Sequence, residues 1–199
     1  MKKIILTLGA LLIIHFLHAQ QLQYSVEGGI NFSGAYAVEN GMVIKGGPLP
    51  GFQLGVSATK IITQKISFQS SLLFFYGGTY RTGIDVNHTK YHASLLKLPL
   101  DVVYHKGGKF FVGIGPFIGY AISGTHTLGG RSYKIIFGSD PNKDDSRRLD
   151  AGLDAMAEYV FTPNLFLKAC LDVGLINPAL PPLRVNTRTL GIMVAYLLK

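Results

Sequence analysis

Few residues in this chain form sets with recognisable chemistry. His88 and His92 stand four apart, a spacing that places two metal ligands on one face of a helix. They fall instead in a polar segment entering a strand, with Asp85 as the nearby carboxylate, and read as a solvated loop. Gly113-Ile114-Gly115-Pro116-Phe117-Ile118-Gly119 approaches the spacing of a phosphate-cradling loop, but its last glycine is one residue late and no helix follows. Packing space is the better reading of these glycines. Asp140-Pro141-Asn142-Lys143-Asp144-Asp145 alternates oxygen-bearing side chains as a calcium loop does. The sixth-position glycine is missing and the twelfth position is Ala151 rather than glutamate, so a polar turn is favoured. There is no Gly-x-Ser-x-Gly elbow. Cys170, the single cysteine, excludes an internal disulfide and a cysteine-built zinc site. The expectation is a protein without catalytic residues, metal or cofactor.

One set of charged groups remains: Glu27, Lys97, Asp101, Asp150, Asp154, Glu158, Lys168 and Asp172. Each stands on the polar side of a segment whose other side is apolar. Leu22, Tyr24, Val26, Ile30 and Phe32 share one parity against Gln23, Ser25, Glu27 and Asn31. The alternation returns seven more times, in runs that include Phe52, Ile66, Leu96, Phe110, Leu149, Leu165 and Leu190. Strict period two means strands with one apolar face, each about as long as a tilted membrane strand requires. The connections Lys60–Lys65, Tyr104–Lys109 and Phe161–Asn164 read as tight turns. Gly34–Pro50, Gly77–Tyr91, Gly124–Arg147 and Asn177–Thr187 read as long, polar or glycine-rich loops. Short turns at one end and long loops at the other are the pattern of transmembrane barrels, with short turns periplasmic and long loops external. Closure leaves no unpaired edge in lipid.

The reading is therefore all-β: an eight-stranded antiparallel up-and-down transmembrane β-barrel, both termini on the periplasmic side. A soluble lipocalin-like carrier would show the same alternation with the faces exchanged. Here the polar face is Gly, Ser, Thr and Gln with charges of both signs, which suits a narrow lumen better than a soluble exterior. The eight charges then point into the lumen, with Arg148 or Arg188 available at the rim to offset the excess of acids. A structural salt-bridge and water network is one reading of them, and a proton or ion path the other. The width of an eight-stranded barrel, which side chains just fill, favours the network. Pro99 and Pro116, on either side of the Tyr104–Lys109 turn, suggest a bulge where two ladder donors are missing.

The N-terminus supplies an address. Lys2 and Lys3 precede an apolar run, Ile4–Leu17, followed by Leu17-His18-Ala19-Gln20. That is a secretory signal peptide, residues 1–19, too short for a spanning helix; residues 20–199 are the barrel domain. Removing Lys2 and Lys3 from the 19 Lys and Arg leaves 17 basic against 11 acidic residues, a formal charge of +6. The basic residues are scattered, so contact with anionic lipid head groups fits them better than nucleic acid.

Several segments resemble the PorT-like outer-membrane β-barrel family of Gram-negative bacteria. They are Val26-Glu27-Gly28-Gly29-Ile30-Asn31-Phe32-Ser33, Ser71-Leu72-Leu73-Phe74-Phe75-Tyr76-Gly77-Gly78, Leu96-Lys97-Leu98-Pro99-Leu100 and Val112-Gly113-Ile114-Gly115-Pro116-Phe117-Ile118-Gly119-Tyr120, with Asp150-Ala151-Gly152-Leu153 and Gly174-Leu175-Ile176-Asn177 further on. The resemblance covers nearly the whole mature chain and departs at the C-terminus, Tyr196-Leu197-Leu198-Lys199, where such barrels usually end in an aromatic residue. It implies an integral outer-membrane barrel with a structural or protein-interaction role, in some members assisting secretion, and no catalytic residues. The implied partners are outer-membrane lipid and proteins at the loops or turns. A narrow pore for small solutes is the alternative. N-terminal sequencing of the mature protein should read from Gln20 or Gln21; recovery of an intact Met1 from membranes would refute the address.

Overall fold

The computed structural model describes residues 22–39, 42–83, 86–140, 143–180 and 184–198; the expected signal peptide 1–19 lies outside them. Nine strands follow in order: β1 (Leu22–Glu39), β2 (Met42–Ile61), β3 (Ile66–Gly83), β4 (Val86–Gly107), β5 (Phe110–Leu128), β6 (Arg131–Lys134), β7 (Leu149–Thr162), β8 (Leu165–Gly174) and β9 (Arg184–Leu198). Consecutive strands pair antiparallel except β6 with β7; β5 pairs with β7 instead, and β1 pairs with β9. The sheet thus closes as an eight-stranded barrel. β6 stands outside the closed ladder and forms a hairpin with the end of β5, turned by Gly129 and Gly130. Both glycines have positive φ (56° and 81°), the conformation a two-residue primed turn demands. Among the described residues no helix is long and apolar enough to cross a membrane; the crossing is made by strands.

The faces follow the parity of the sequence. Outward residues such as Ile114 (60% exposed), Leu153 (48%) and Leu171 (49%) form a continuous apolar exterior. Inward positions such as Ser25, Asn31, Gln53, Ser57, Ser67 and Gln69 are buried. Water would oppose this arrangement, because large apolar patches mark a surface that meets something other than water. Lipid favours it, and a soluble barrel would have the opposite polarity.

Two expectations need correction. Gly34–Pro50 and Gly77–Tyr91 are not loops for most of their length: β1 and β2 run on to Glu39 and from Met42, and β3 and β4 to Gly83 and from Val86. β4 has 22 residues, about twice the 9–11 of a membrane strand. Beyond the lipid a ladder needs no apolar face, so it leaves no alternation to read. The second correction concerns the prolines. Pro99 lies opposite Phe117, and the same register resumes at Val102 opposite Ile114. No residue is inserted there; the irregularities of this pair fall at Ser94/Leu95 and His105/Gly107. Absent donors interrupt a ladder without requiring a bulge.

The described residues start at β1 and finish at β9 on the same end as the short turns, with Tyr24 opposite Leu198 and Leu22 opposite Lys60. This is called the turn end, and the other the loop end. Gly115 shows how tightly the wall is wound: a Cβ there would stand 1.9 Å from the Leu100 carbonyl oxygen on β4. Close backbone approach, not phosphate binding, accounts for that glycine.

Candidate functional site

Four-residue spacing within a strand keeps side chains on one face. β4 thereby aims Lys97 and Asp101 inward; β7 aims Asp150, Asp154 and Glu158; β8 aims Lys168 and Asp172; β1 aims Glu27. Six of these eight residues are nearly inaccessible: Glu27, Lys97, Asp101, Asp154, Lys168 and Asp172 each have 5% exposure or less.

They fall into two clusters along the barrel axis. In the first, nearer the turn end, Lys168 Nζ donates to Glu27 Oε2 at 3.2 Å and stands 3.8 Å from Glu158 Oε1. Register alone brings Glu158 and Lys168 together, since they are opposite on β7 and β8. Glu27 reaches Lys168 past the intervening β9. Gln69 Nε2 donates to Glu158 at 3.4 Å. In the second cluster, nearer the loop end, Lys97 pairs with Asp172 across the lumen and lies 4.0 Å from Asp154. Its ammonium also sits 4.6 Å from the centre of the Phe117 ring, a favourable cation–π position. Asp154 and Asp172 are themselves opposite in register, and Lys97 faces both.

Asp101 and Asp150 are not drawn into these pairs. Asp101 is 1% exposed; it stands beside Asp154 and feels both lysines electrostatically. Asp150 accepts a hydrogen bond from Thr187 at 3.2 Å through one oxygen; the other is unpartnered. Arg148 and Arg188 do not join the carboxylates either. Arg148 donates to the Ala121 carbonyl at 3.1 Å, and Arg188 to the Tyr36 hydroxyl at 2.9 Å, with its guanidinium over the Tyr36 ring.

The lumen also holds a small apolar group, Val103, Met156, Cys170 and Met193, all buried. Several other polar inward side chains are hydrogen-bonded: Ser25 to Ser57 at 2.5 Å, Asn31 donating to the Tyr76 backbone carbonyl at 3.1 Å, and Gln53 donating to Cys170 at 3.4 Å. Asn31, Gln53, Gln69 and Phe117 are the members of this interior that the reading by charge passed over. Their parity marked them as inward, but their partners lie 89 or more residues away for Gln53 and Gln69, beyond any local spacing.

On either side of this plug is a cavity. The larger, about 410 Å³, opens at the loop end and has Lys97, Phe117, Asp150 and Asp172 at its inner limit. The smaller, about 80 Å³, opens at the turn end and reaches Glu158 and Val103. The two share no lining residue.

The motifs set aside from the sequence have other employment. His92 stacks on Tyr76, ring centres 5.4 Å apart and nearly parallel. Asp144 accepts the Asp140 backbone N–H at 2.8 Å and Asp145 that of Ile136 at 2.7 Å, so these carboxylates cap a turn. Pro141 and Asn142 of the calcium-like segment, and Asp85, lie outside the described residues.

A closed antiparallel barrel with an apolar belt and a charged, side-chain-filled lumen defines an integral outer-membrane β-barrel protein. The chain belongs to the outer membrane protein beta-barrel domain family, whose model matches residues 18–178. Among solved structures it is similar to Neisserial surface protein A, at 16% identity and a TM-score of 0.57, covering 89% of this chain and 99% of that one. It is also similar to the attachment invasion locus protein Ail of Yersinia pestis (14% identity, TM-score 0.45, 88% and 99% covered). At 16% identity the likeness to Neisserial surface protein A speaks for the fold alone. No curated protein sequence matches the chain.

The Lys168 cluster yields a stability prediction. Removing one partner of a buried pair leaves an uncompensated charge and costs about 3–5 kcal/mol, whereas removing the pair together costs much less. Lys168→Met should therefore destabilise the barrel by about that amount in urea unfolding from vesicles. Lys168→Met with Glu27→Gln should recover much of the loss. Equal stability of Lys168→Met and the unmodified protein would show that the pair does not hold the lumen.

Proposed function

We propose that this protein is a non-catalytic, non-conducting outer-membrane barrel whose plugged lumen makes it a rigid base for a loop end that contacts partners outside the cell. The observation that carries this is the plug. Two ion clusters and four buried apolar side chains fill the lumen, and the two cavities have no lining residue in common. Eight strands enclose a space that side chains fill, and oppositely charged groups bridging it are costly to part.

The asymmetry of the ends supports the orientation. Short turns are periplasmic and longer elements external in such barrels, which argues for both termini in the periplasm and the extended ends of β1–β5 outside. The segments that resemble the PorT-like family support an interaction role, in which the barrel assists secretion or holds a protein partner at its loops or turns. The signal peptide at 1–19 delivers such a protein.

Planar-bilayer recording tests the plug. The purified protein should give no stable conductance above leak, and Lys97→Ala should lose stability before it gains permeability. Steady, ion-selective channels from the unmodified protein would contradict the proposal and make the lumen a narrow pore.

A further inference from the structure

The loop-end cavity has a polarity that the plug does not require. Its walls are largely apolar, with Ala37, Phe75, Leu95, Ala121, Phe137 and Ala179 among them. Its volume, about 410 Å³, falls within the range of pockets that hold small molecules, roughly 300–1,000 Å³.

Three arginines, Arg147, Arg148 and Arg188, also line it and are exposed at its mouth; Asp145 is the one exposed carboxylate of the lining, so the mouth is net positive. None has a carboxylate partner among the described residues. Arg148 is held in place by the Ala121 carbonyl and by the Phe137 and Tyr120 rings at 5.4 and 5.8 Å; Arg188 is held by Tyr36. Each spends one described hydrogen bond of the five donors a guanidinium offers, so both are positioned with donors to spare.

The inner limit has the opposite sign. Lys97 is already engaged by Asp172 and Asp154, and Asp150 keeps an unpartnered oxygen. An anion is attracted at the mouth and repelled at the depth, while an apolar body is accommodated between.

We infer that this cavity is a binding site for a single-chain anionic amphiphile from the external medium, its anionic head on Arg148 and Arg188 and its alkyl chain against Phe75, Leu95 and Ala121. Arginine suits such a head because its planar fork binds carboxylate or phosphate with two parallel hydrogen bonds. The inference uses the plug of the proposed function as its floor and the same orientation. Binding and conductance are separate measurements, so a barrel that conducts yet binds the amphiphile would fail the earlier reading and keep this one.

The test is isothermal titration of the mature protein in phosphatidylcholine nanodiscs with dodecanoate, below its micelle concentration, with empty-disc heats subtracted. Saturable one-site binding is expected, with dodecylammonium at least tenfold weaker. Arg148→Gln with Arg188→Gln should weaken dodecanoate at least tenfold, and Ala121→Phe, which fills the cavity, should abolish binding with the β-sheet circular dichroism retained. The charge-exchanged ligand keeps the test decisive even if Ala121→Phe does not fold, since it uses the unmodified protein. Heats equal to empty discs, or equal affinity for the two ligands, would overturn the inference. A repeat in discs containing phosphatidylglycerol separates two sources of the same chemistry. Unchanged binding supports a free amphiphile, whereas loss of titratable sites assigns the cavity to a membrane lipid and overturns the free ligand.

Discussion

The hydrocarbon core of a membrane offers no partner to a backbone N–H or C=O, and the rest of this molecule follows from that. Each unsatisfied group would cost several kcal/mol, so only a helix or a closed sheet can cross. Here the β1–β9 pairing closes the ladder from Tyr24 opposite Leu198 to Val38 opposite Arg184. Closure then divides the side chains: the exterior must be apolar, and every polar group on the spanning strands has only the lumen to occupy.

A lumen eight strands wide cannot keep its charges in bulk water, and burial makes each of them demand a partner. Lys97 and Lys168 answer by bridging strands that are not neighbours: Lys97 on β4 reaches Asp172 on β8, and Lys168 on β8 reaches Glu27 on β1. Such cross-lumen pairs add little stability over apolar packing but make departure from the native arrangement expensive. They also fix where the interior is solid and where it is hollow. The loop-end cavity begins where Lys97 stacks on Phe117, so the same residue ends the plug and floors the cavity.

Much of this was legible because period two is a strong signal wherever one face meets lipid. The outward parity of Val26, Leu98, Leu153 and Leu171, the inward parity of the eight charged residues and the tight turns all follow from it. The extended outer ends of β1–β5 were not legible, because a strand outside the membrane has no apolar face to keep. The partners of the charges were not legible either: Glu158 with Lys168 is a neighbouring-strand contact, whereas Lys97 with Asp172 and Lys168 with Glu27 depend on how strongly the barrel curves. Arg148 and Arg188 carry the charge to balance the acids. They sit instead at the cavity mouth, held by a carbonyl and a tyrosine hydroxyl.

The claim on which all of this rests is that the apolar parity faces lipid while the charged parity faces a closed interior. Spin labels placed singly along β7, from Ala151 to Ala157, in a Cys170→Ala background and reconstituted in bilayers, measure it directly. Collision with oxygen, which concentrates in lipid, should be high at positions 151, 153, 155 and 157 and low at 152, 154 and 156, with the polar relaxant excluded from both sets. High oxygen collision at the even positions, or a period near 3.6, would contradict the account.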